Sequence, residues 1–149
     1  MVKVQEAENQ IITHYEVFAE RPQDSRLLVP AVEQHQHLFG RAPRIVAADA
    51  GFYSLKGEKV IQTMGVTRVA VPNRNSKSSE RRKLQRTRWF LAGQRWRTGC
   101  EGRISVLKRR HGLNRCRYRG FAGMQRWVGL GVIADNIIQI GRCLAVQRA

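Results

Sequence analysis

The sequence predicts an α/β fold, and three patterns along the chain support that prediction. An alternating stretch over residues 1–20, rich in β-branched side chains, predicts a β-hairpin around Asn9-Gln10. Two short apolar runs, RIVAA and VTRVAV, flank the helix-like SLKGEKVIQTMG and predict two parallel strands joined by a right-handed crossover. Helical patterns then dominate the chain from residue 83 onward.

The remaining helix signals divide the chain into segments. Asp24 or Ser25 is the predicted cap of a helix that starts near Pro30 and ends at Gly40, and Gly65 closes the next helix. We expect one domain over residues 1–149, with four segments: a hairpin (1–20), a helix with the parallel strands (24–72), a polar basic linker (73–82) and C-terminal helices (83–149). The first of those helices should run from Lys83 to Arg110, and a strongly apolar helix should follow a basic loop.

Positive charge is concentrated in one part of the chain. Lys and Arg number 27 against 11 acids, for a net charge of +16. Residues 1–73 hold 8 basic and 8 acidic side chains, whereas residues 74–119 hold 16 basic and 2 acidic ones. Such a local excess predicts a polyanionic partner, with nucleic acid first and an acidic membrane surface second.

Several classes of protein are disfavoured. Cys100, Cys116 and Cys143 lack zinc-site spacing, which favours reduced thiols over a metal or disulfide framework. His35 and His37 are two residues apart and would not share a helix face, so a histidine metal pair is not expected. No apolar run reaches the roughly 20 residues of a membrane span, and no signal peptide is evident. We therefore expect a cytoplasmic protein with no membrane partner.

Glu101 is the single acid of the basic stretch RWRTGCEGRISVLKRRHG. In an α-helix, Arg97 would lie roughly 40° and Lys108 roughly 20° around the axis from Glu101, so the three share one face. One interpretation is an exposed salt bridge between Arg97 and Glu101. The other is a metal-binding carboxylate, which requires a second acid.

Asp49 is the candidate for that second acid, because it follows a buried strand. A buried carboxylate is costly unless it binds a metal or strong hydrogen-bond donors, although Asp49 could instead cap the helix that starts near Gly51. Two carboxylates inside a basic surface suit a Mg²⁺ or Mn²⁺ ion, with the surrounding cations holding a DNA backbone.

RIVAADAGFYS and RTGCEGRISVLKRR together resemble the DDE-type transposases of bacterial insertion sequences. That family carries a tyrosine, two residues, an arginine, three residues, the glutamate, six residues and a lysine. Arg97, Glu101 and Lys108 stand at those spacings, and Gln94 takes the tyrosine position. The resemblance covers essentially the whole chain, including HGLNRCRYRGFAGMQRWVGLGVIADN. It implies a ribonuclease H-like fold, in which helices flank a mixed sheet and three acids surround two divalent metals.

The resemblance also implies roles for individual residues. Asp49 and Glu101 would be catalytic metal ligands for Mg²⁺ or Mn²⁺, and Arg97 and Lys108 would contact the terminal inverted repeats of the transposon. Independently of the family, the local charge makes Arg103, Arg109 and Arg110 candidate DNA contacts. Arg115 and Arg117, in the tract LNRCRYRG, are either DNA contacts or part of a solvated loop.

The family's first aspartate, at the end of the first central strand, has no counterpart in this sequence. We therefore expect an incomplete sheet with that strand missing, in the C-terminal part of a catalytic domain that is inactive alone. A basic DNA-binding protein without catalysis, or an inhibitor of an intact transposase, is the alternative. A homo-oligomer or an intact transposase is a possible partner, and the nucleoid is the expected location.

Overall fold

The computed structural model describes residues 1–147, apart from the side chain of Glu101. The strands and helices follow in chain order: β1 (Val2–Glu6), β2 (Ile12–Val17), α1 (Leu28–Phe39), β3 (Ile45–Ala47), α2 (Leu55–Thr63), β4 (Arg68–Ala70), α3 (Ser79–Gln85), α4 (Arg88–Arg110) and α5 (Gly120–Gln147). The chain forms two compact units. Met1–Arg21 and the chain from Cys100 onward form the hairpin unit, and Pro22–Gly99 forms the strand–helix unit.

In the hairpin unit, β1 and β2 pair in antiparallel fashion, from Val2 opposite Val17 to Gln5 opposite His14. Asn9 and Gln10 adopt positive φ angles of 59° and 62° in the connecting turn. Helix α5 packs on this hairpin, and the buried core of the unit consists of Ile12, Val17, Leu107, Val128 and Val132. The side-chain amide of Asn136 also bonds both the N–H and the carbonyl of Ile12, at 2.8 Å each, so α5 is held at a defined position along β2.

In the strand–helix unit, the predicted parallel pair is present. Ile45 lies opposite Arg68 in β3 and β4, and Ala47 lies opposite Ala70. The buried core of this unit is Leu28, Val32, Ile61, Val66, Val69 and Val71. These apolar side chains come from α1, from α2 and from the β4 segment. Their burial against one another stabilises the short parallel pair.

The helix ends agree only in part with prediction. Gly40 ends α1 in the left-handed region (φ 67°), and Ser54 caps α2 by accepting a hydrogen bond from the Gly57 N–H at 2.9 Å. The predicted capping of α1 by Asp24 or Ser25 is wrong. Those residues form a short 3₁₀ turn, closed by the Leu27 N–H donating to the Asp24 carbonyl, and α1 then begins without a side-chain cap.

The long helix expected from Lys83 to Arg110 is also interrupted. Helix α3 begins at Ser79, inside the segment predicted as a linker, and ends before Thr87. The hydroxyl of Thr87 donates to the Leu84 carbonyl at 2.7 Å, and α4 begins immediately afterwards. The Thr87 N–H also donates to the Leu84 carbonyl, so a tight turn separates the two helices, and apolar periodicity alone does not show it.

The strands form two separate pairs instead of one mixed sheet. Over residues 1–147 the order is β1–β2 in one sheet and β3–β4 in the other, and no described strand joins them. Each pair satisfies its apolar face by packing against helices of its own unit. The observed class is therefore α/β with small sheets and helices.

Helix α5 corrects the expectation that no segment is long enough to cross a membrane. Its 28 residues reach a mean hydropathy of 1.3 over the most apolar window, so length and composition alone permit a span. One third of that window is buried inside the protein, and buried core helices pass the same test. The finding is therefore weak support for a membrane segment.

A buried polar network, the Arg103 cluster, comprises Glu6, Gln10, Arg103, His111 and Asp135. Arg103 faces both carboxylate oxygens of Asp135 at 3.3 and 3.4 Å and also donates to the Gln10 side chain. Its Nε lies 3.7 Å from Glu6, and His111 Nε2 lies 3.3 Å from Asp135. Burial raises the pKa of Glu6, whereas a hydrogen bond with Cys100 and the positive charge of Arg103 lower that pKa by less. The cluster links the last part of α4 to the hairpin and to α5.

Replacing Arg103 should destabilise the fold strongly. Arg103→Met leaves Asp135, whose side chain is 1% exposed, without its main counter-charge, and losing one partner of a buried pair costs about 3–5 kcal/mol. Urea unfolding should show that loss for Arg103→Met, whereas Lys108→Met, at an exposed position of the same helix, should change stability little. The double variant Arg103→Met/Asp135→Leu should recover much of the loss. Equal, small effects of Arg103→Met and Lys108→Met would contradict a buried structural role.

Candidate functional site

The site predicted at Asp49 lies where the two parallel strands end. β3 and β4 end at Ala47 and Ala70, and their carboxyl ends share one edge because the strands are parallel. Helix α4 passes very close to this edge. A Cβ atom at Gly93 would lie only 2.8 Å from the Ala70 Cβ, so glycine is needed for this approach.

Gln94 fixes the helix at that edge. Its Nε2 donates to the Ala48 carbonyl at 3.2 Å and also to the Ala70 carbonyl. Ala48 directly follows β3 and Ala70 ends β4, so one amide group holds both strand ends against α4. Gln94 is the residue at which the sequence departs from the transposase signature. Its hydrogen bonds to the strand ends could not be predicted from the spacing of the signature.

Asp49 pairs with Arg97. Arg97 Nη1 lies 2.7 Å from Asp49 Oδ1, one helical turn after the Gln94 anchor. The Asp49 side chain is 54% exposed, which corrects the expectation of a buried carboxylate that needs a partner to avoid a large burial cost. The alternative of a helix cap holds for position only, because Asp49 directly precedes the short 3₁₀ turn of Ala50–Phe52 but its side chain makes no capping bond.

The donor chemistry at Asp49 suits a hard divalent cation, because carboxylate oxygens are the ligands that Mg²⁺ and Mn²⁺ prefer. Its Oδ1 is engaged by Arg97, so this arginine and a metal ion would compete for the same carboxylate. Within the described part of the chain, no three His, Cys, Asp or Glu side chains cluster for metal binding. The Glu101 side chain, the second predicted ligand, lies outside the described residues, although its backbone belongs to α4.

Five of the predicted DNA-contacting side chains are exposed in the hairpin unit. Lys108, Arg109 and Arg110 form the last turn of α4, and Arg115 and Arg117 lie in the loop before α5. We call these five residues the basic end. They follow one another closely in the chain and form an exposed positive surface without an acidic residue between positions 102 and 134.

The position of Arg103 does not favour the predicted DNA contact. Its side chain is 8% exposed and belongs to the buried Arg103 cluster, so it cannot present its guanidinium to a DNA backbone in this structure. The charge of residues 74–119 therefore overestimates the number of available cations. Asp135 was missed by sequence reasoning, although a lone acid in a strongly apolar helix is a signal for a buried counter-charge.

Comparisons with known proteins identify the family. A search of curated proteins and a search of solved structures returned no match. The profile of the family described as Transposase DDE domain matches residues 4–137, which is nearly the whole chain and includes Asp49, Arg97, Glu101 and Lys108. The chain therefore belongs to the transposase DDE domain family.

Proposed function

We propose that this chain is part of a ribonuclease H-like transposase catalytic domain that binds transposon-end DNA for metal-dependent strand transfer. The observation that supports it is the Asp49–Arg97 pair, held at the strand ends by Gln94. Arg97 is the first residue of the Arg97, Glu101 and Lys108 signature and contacts the second acid expected for the family.

In this proposal, Asp49 and Glu101 hold Mg²⁺ or Mn²⁺. A bound ion would supply activation of the attacking oxygen and would offset negative charge at the phosphate. Arg97 keeps the Asp49 carboxylate oriented and charge-balanced in the absence of a cation. The basic end binds the phosphate backbone of the terminal inverted repeats, and the cytoplasmic nucleoid is where such DNA would be found.

A non-catalytic role is the second candidate, and the exposed basic end supports it. Among residues 1–149, none matches the family's first aspartate, and the two acids present should support little strand transfer by themselves. A chain that binds terminal repeats without cutting them would inhibit an intact transposase. Cleavage of transposon-end DNA by the purified chain at millimolar Mg²⁺ would contradict inactivity in isolation.

Metal binding distinguishes these two candidates. Asp49→Asn and Glu101→Gln should each abolish Mn²⁺ binding measured by electron paramagnetic resonance, with DNA affinity kept or raised. Arg97→Gln should tighten Mn²⁺ binding several-fold, because it removes the cation that competes for Asp49 Oδ1. Arg95→Gln, at an exposed arginine of the same helix, makes the same charge change and should affect Mn²⁺ binding much less.

If the acidic variants bind Mn²⁺ as the unaltered chain does, the metal-site proposal fails and the basic DNA-binding role remains. If Arg95→Gln tightens Mn²⁺ binding as much as Arg97→Gln, the gain comes from lower net charge and not from the Asp49 pair.

The salt dependence of DNA binding tests the basic end. Lys108→Gln/Arg109→Gln/Arg110→Gln should lower the slope of log affinity against log salt by about 3, since each phosphate contact contributes about 0.9. The matched control is Arg82→Gln/Lys83→Gln/Arg86→Gln, which removes three exposed charges from the α3 region. Fluorescence anisotropy on a repeat-end duplex measures both. Equal slope changes for the two triple variants would show that binding follows net charge and not this surface.

A further inference from the structure

Glu101 lies in an intrinsically weak turn of α4. Gly99 and Gly102 flank it within the helix. Glycine is unfavourable in a helix interior because its backbone loses the most conformational freedom. A Cβ atom added at either glycine would meet none of the described atoms within 4 Å, so no close approach requires glycine there. The helical conformation at Glu101 must therefore be stabilised by other contacts.

Two side chains close to Glu101 in sequence supply such contacts. The Cys100 side chain hydrogen-bonds the carboxylate of Glu6, which is itself only 5% exposed. Arg103, two residues after Glu101, directs Nη1 at both carboxylate oxygens of Asp135, at 3.3 and 3.4 Å. The turn that carries Glu101 is thus held on both sides by buried polar groups of the Arg103 cluster and by Cys100.

Asp135 is fixed independently of α4. Its side chain is 1% exposed, and the next residue of α5, Asn136, bonds both the N–H and the carbonyl of Ile12 at 2.8 Å each. His111, which directly follows α4, places Nε2 3.3 Å from Asp135 Oδ1. Because α5 and the hairpin hold Asp135 in place, its contact with Arg103 constrains α4 at that residue.

The contacts of Arg103 fix an orientation as well as a distance. Its three guanidinium nitrogens face three residues: Nη1 faces Asp135, Nη2 faces Gln10, and Nε lies 3.7 Å from Glu6. A planar group held on three sides cannot rotate freely, which an apolar side chain of the same volume could do. Since each helical residue advances by about 100° around the axis, fixing Arg103 also fixes the direction of the Cα–Cβ bond at Glu101.

We propose that Arg103 and Asp135 are positioning residues for Glu101. Their contact keeps the turn from Gly99 to Gly102 helical and orients the Glu101 backbone before any cation binds. The consequence for metal binding rests on the proposed function, in which Glu101 is a ligand. Loss of groups that orient a metal ligand commonly lowers metal affinity by about 10–100-fold.

Amide hydrogen exchange in the metal-free chain tests the positioning itself. Asp135→Asn keeps the size of the side chain and removes its charge, so the amides of Glu101 and Gly102 should exchange several-fold faster. Val128→Ala is the matched control, because Val128 also lies on α5 and is 1% exposed. The control should accelerate only the slowest amides, which exchange by global unfolding, whereas Glu101 and Gly102 exchange through local opening.

Arg103→Lys provides a second variant if Asp135→Asn does not fold. It keeps the positive charge but has one nitrogen where three are needed, so it should give the same local increase in exchange.

Cation affinity separates positioning from stability. Mn²⁺ binding measured by electron paramagnetic resonance should weaken about tenfold in Asp135→Asn. It should stay weakened in Arg103→Met/Asp135→Leu, even though an apolar pair recovers much of the stability. Val128→Ala, measured where it is fully folded, should bind Mn²⁺ as the unaltered chain does.

Unchanged exchange at Glu101 and Gly102 in Asp135→Asn, or an equal increase in Val128→Ala, would overturn the proposal. Full Mn²⁺ affinity in Arg103→Met/Asp135→Leu would also overturn it, because packing alone would then be sufficient. If the unaltered chain binds no Mn²⁺, the proposed metal site fails, and the exchange measurement still decides whether Arg103 and Asp135 hold this turn.

Discussion

The hydrogen bonds from the Gln94 amide to the Ala48 and Ala70 carbonyls set the geometry of the candidate site. They attach α4 to the ends of both parallel strands, and Gly93 permits the required approach. Because Arg97 follows three residues after Gln94, the same attachment brings its guanidinium to Asp49. The helix, the strand ends and Asp49 are therefore held together by consecutive contacts of α4. Gln94, which replaces the tyrosine of the family signature, makes the first of these contacts.

Burial sorts the positive charge of the chain into two groups. Arg103 is buried and Arg81 is largely covered, with its side chain 12% exposed. Each faces a buried acid, which is Asp135 for Arg103 and, at 2.6 Å, Glu58 for Arg81. These pairs contribute to packing and leave little charge for a ligand. The exposed cations of the basic end are a different group, because solvent and phosphates can reach them. A net charge of +16 thus indicates the class of partner but not which arginines would contact it.

Much of the local structure could be predicted because it depends on neighbours in the chain. The apolar runs of β3 and β4, the left-handed Gly40 and the hairpin around Asn9-Gln10 all follow from short patterns. The helix break at Thr87 and the 3₁₀ turn at Asp24 were not predicted. Both are defined by local hydrogen bonds to backbone carbonyls, which the apolar pattern does not reveal. Arg103 could not be assigned from sequence, since its partners Glu6, Gln10 and Asp135 are distant in the chain. The spacing of Arg97, Glu101 and Lys108 indicated the family together with the motifs that flank it, and the profile match shows that family. The Asp49–Arg97 contact required the fold.

Paramagnetic broadening by Mn²⁺ tests most directly whether Asp49 and Glu101 hold one ion. In ¹⁵N-labelled protein, substoichiometric Mn²⁺ should broaden the amide signals around Asp49 and around Glu101 together, and Asp49→Asn should abolish both effects. Broadening confined to one of the two segments, or broadening that persists unchanged in Asp49→Asn, would contradict a shared metal site.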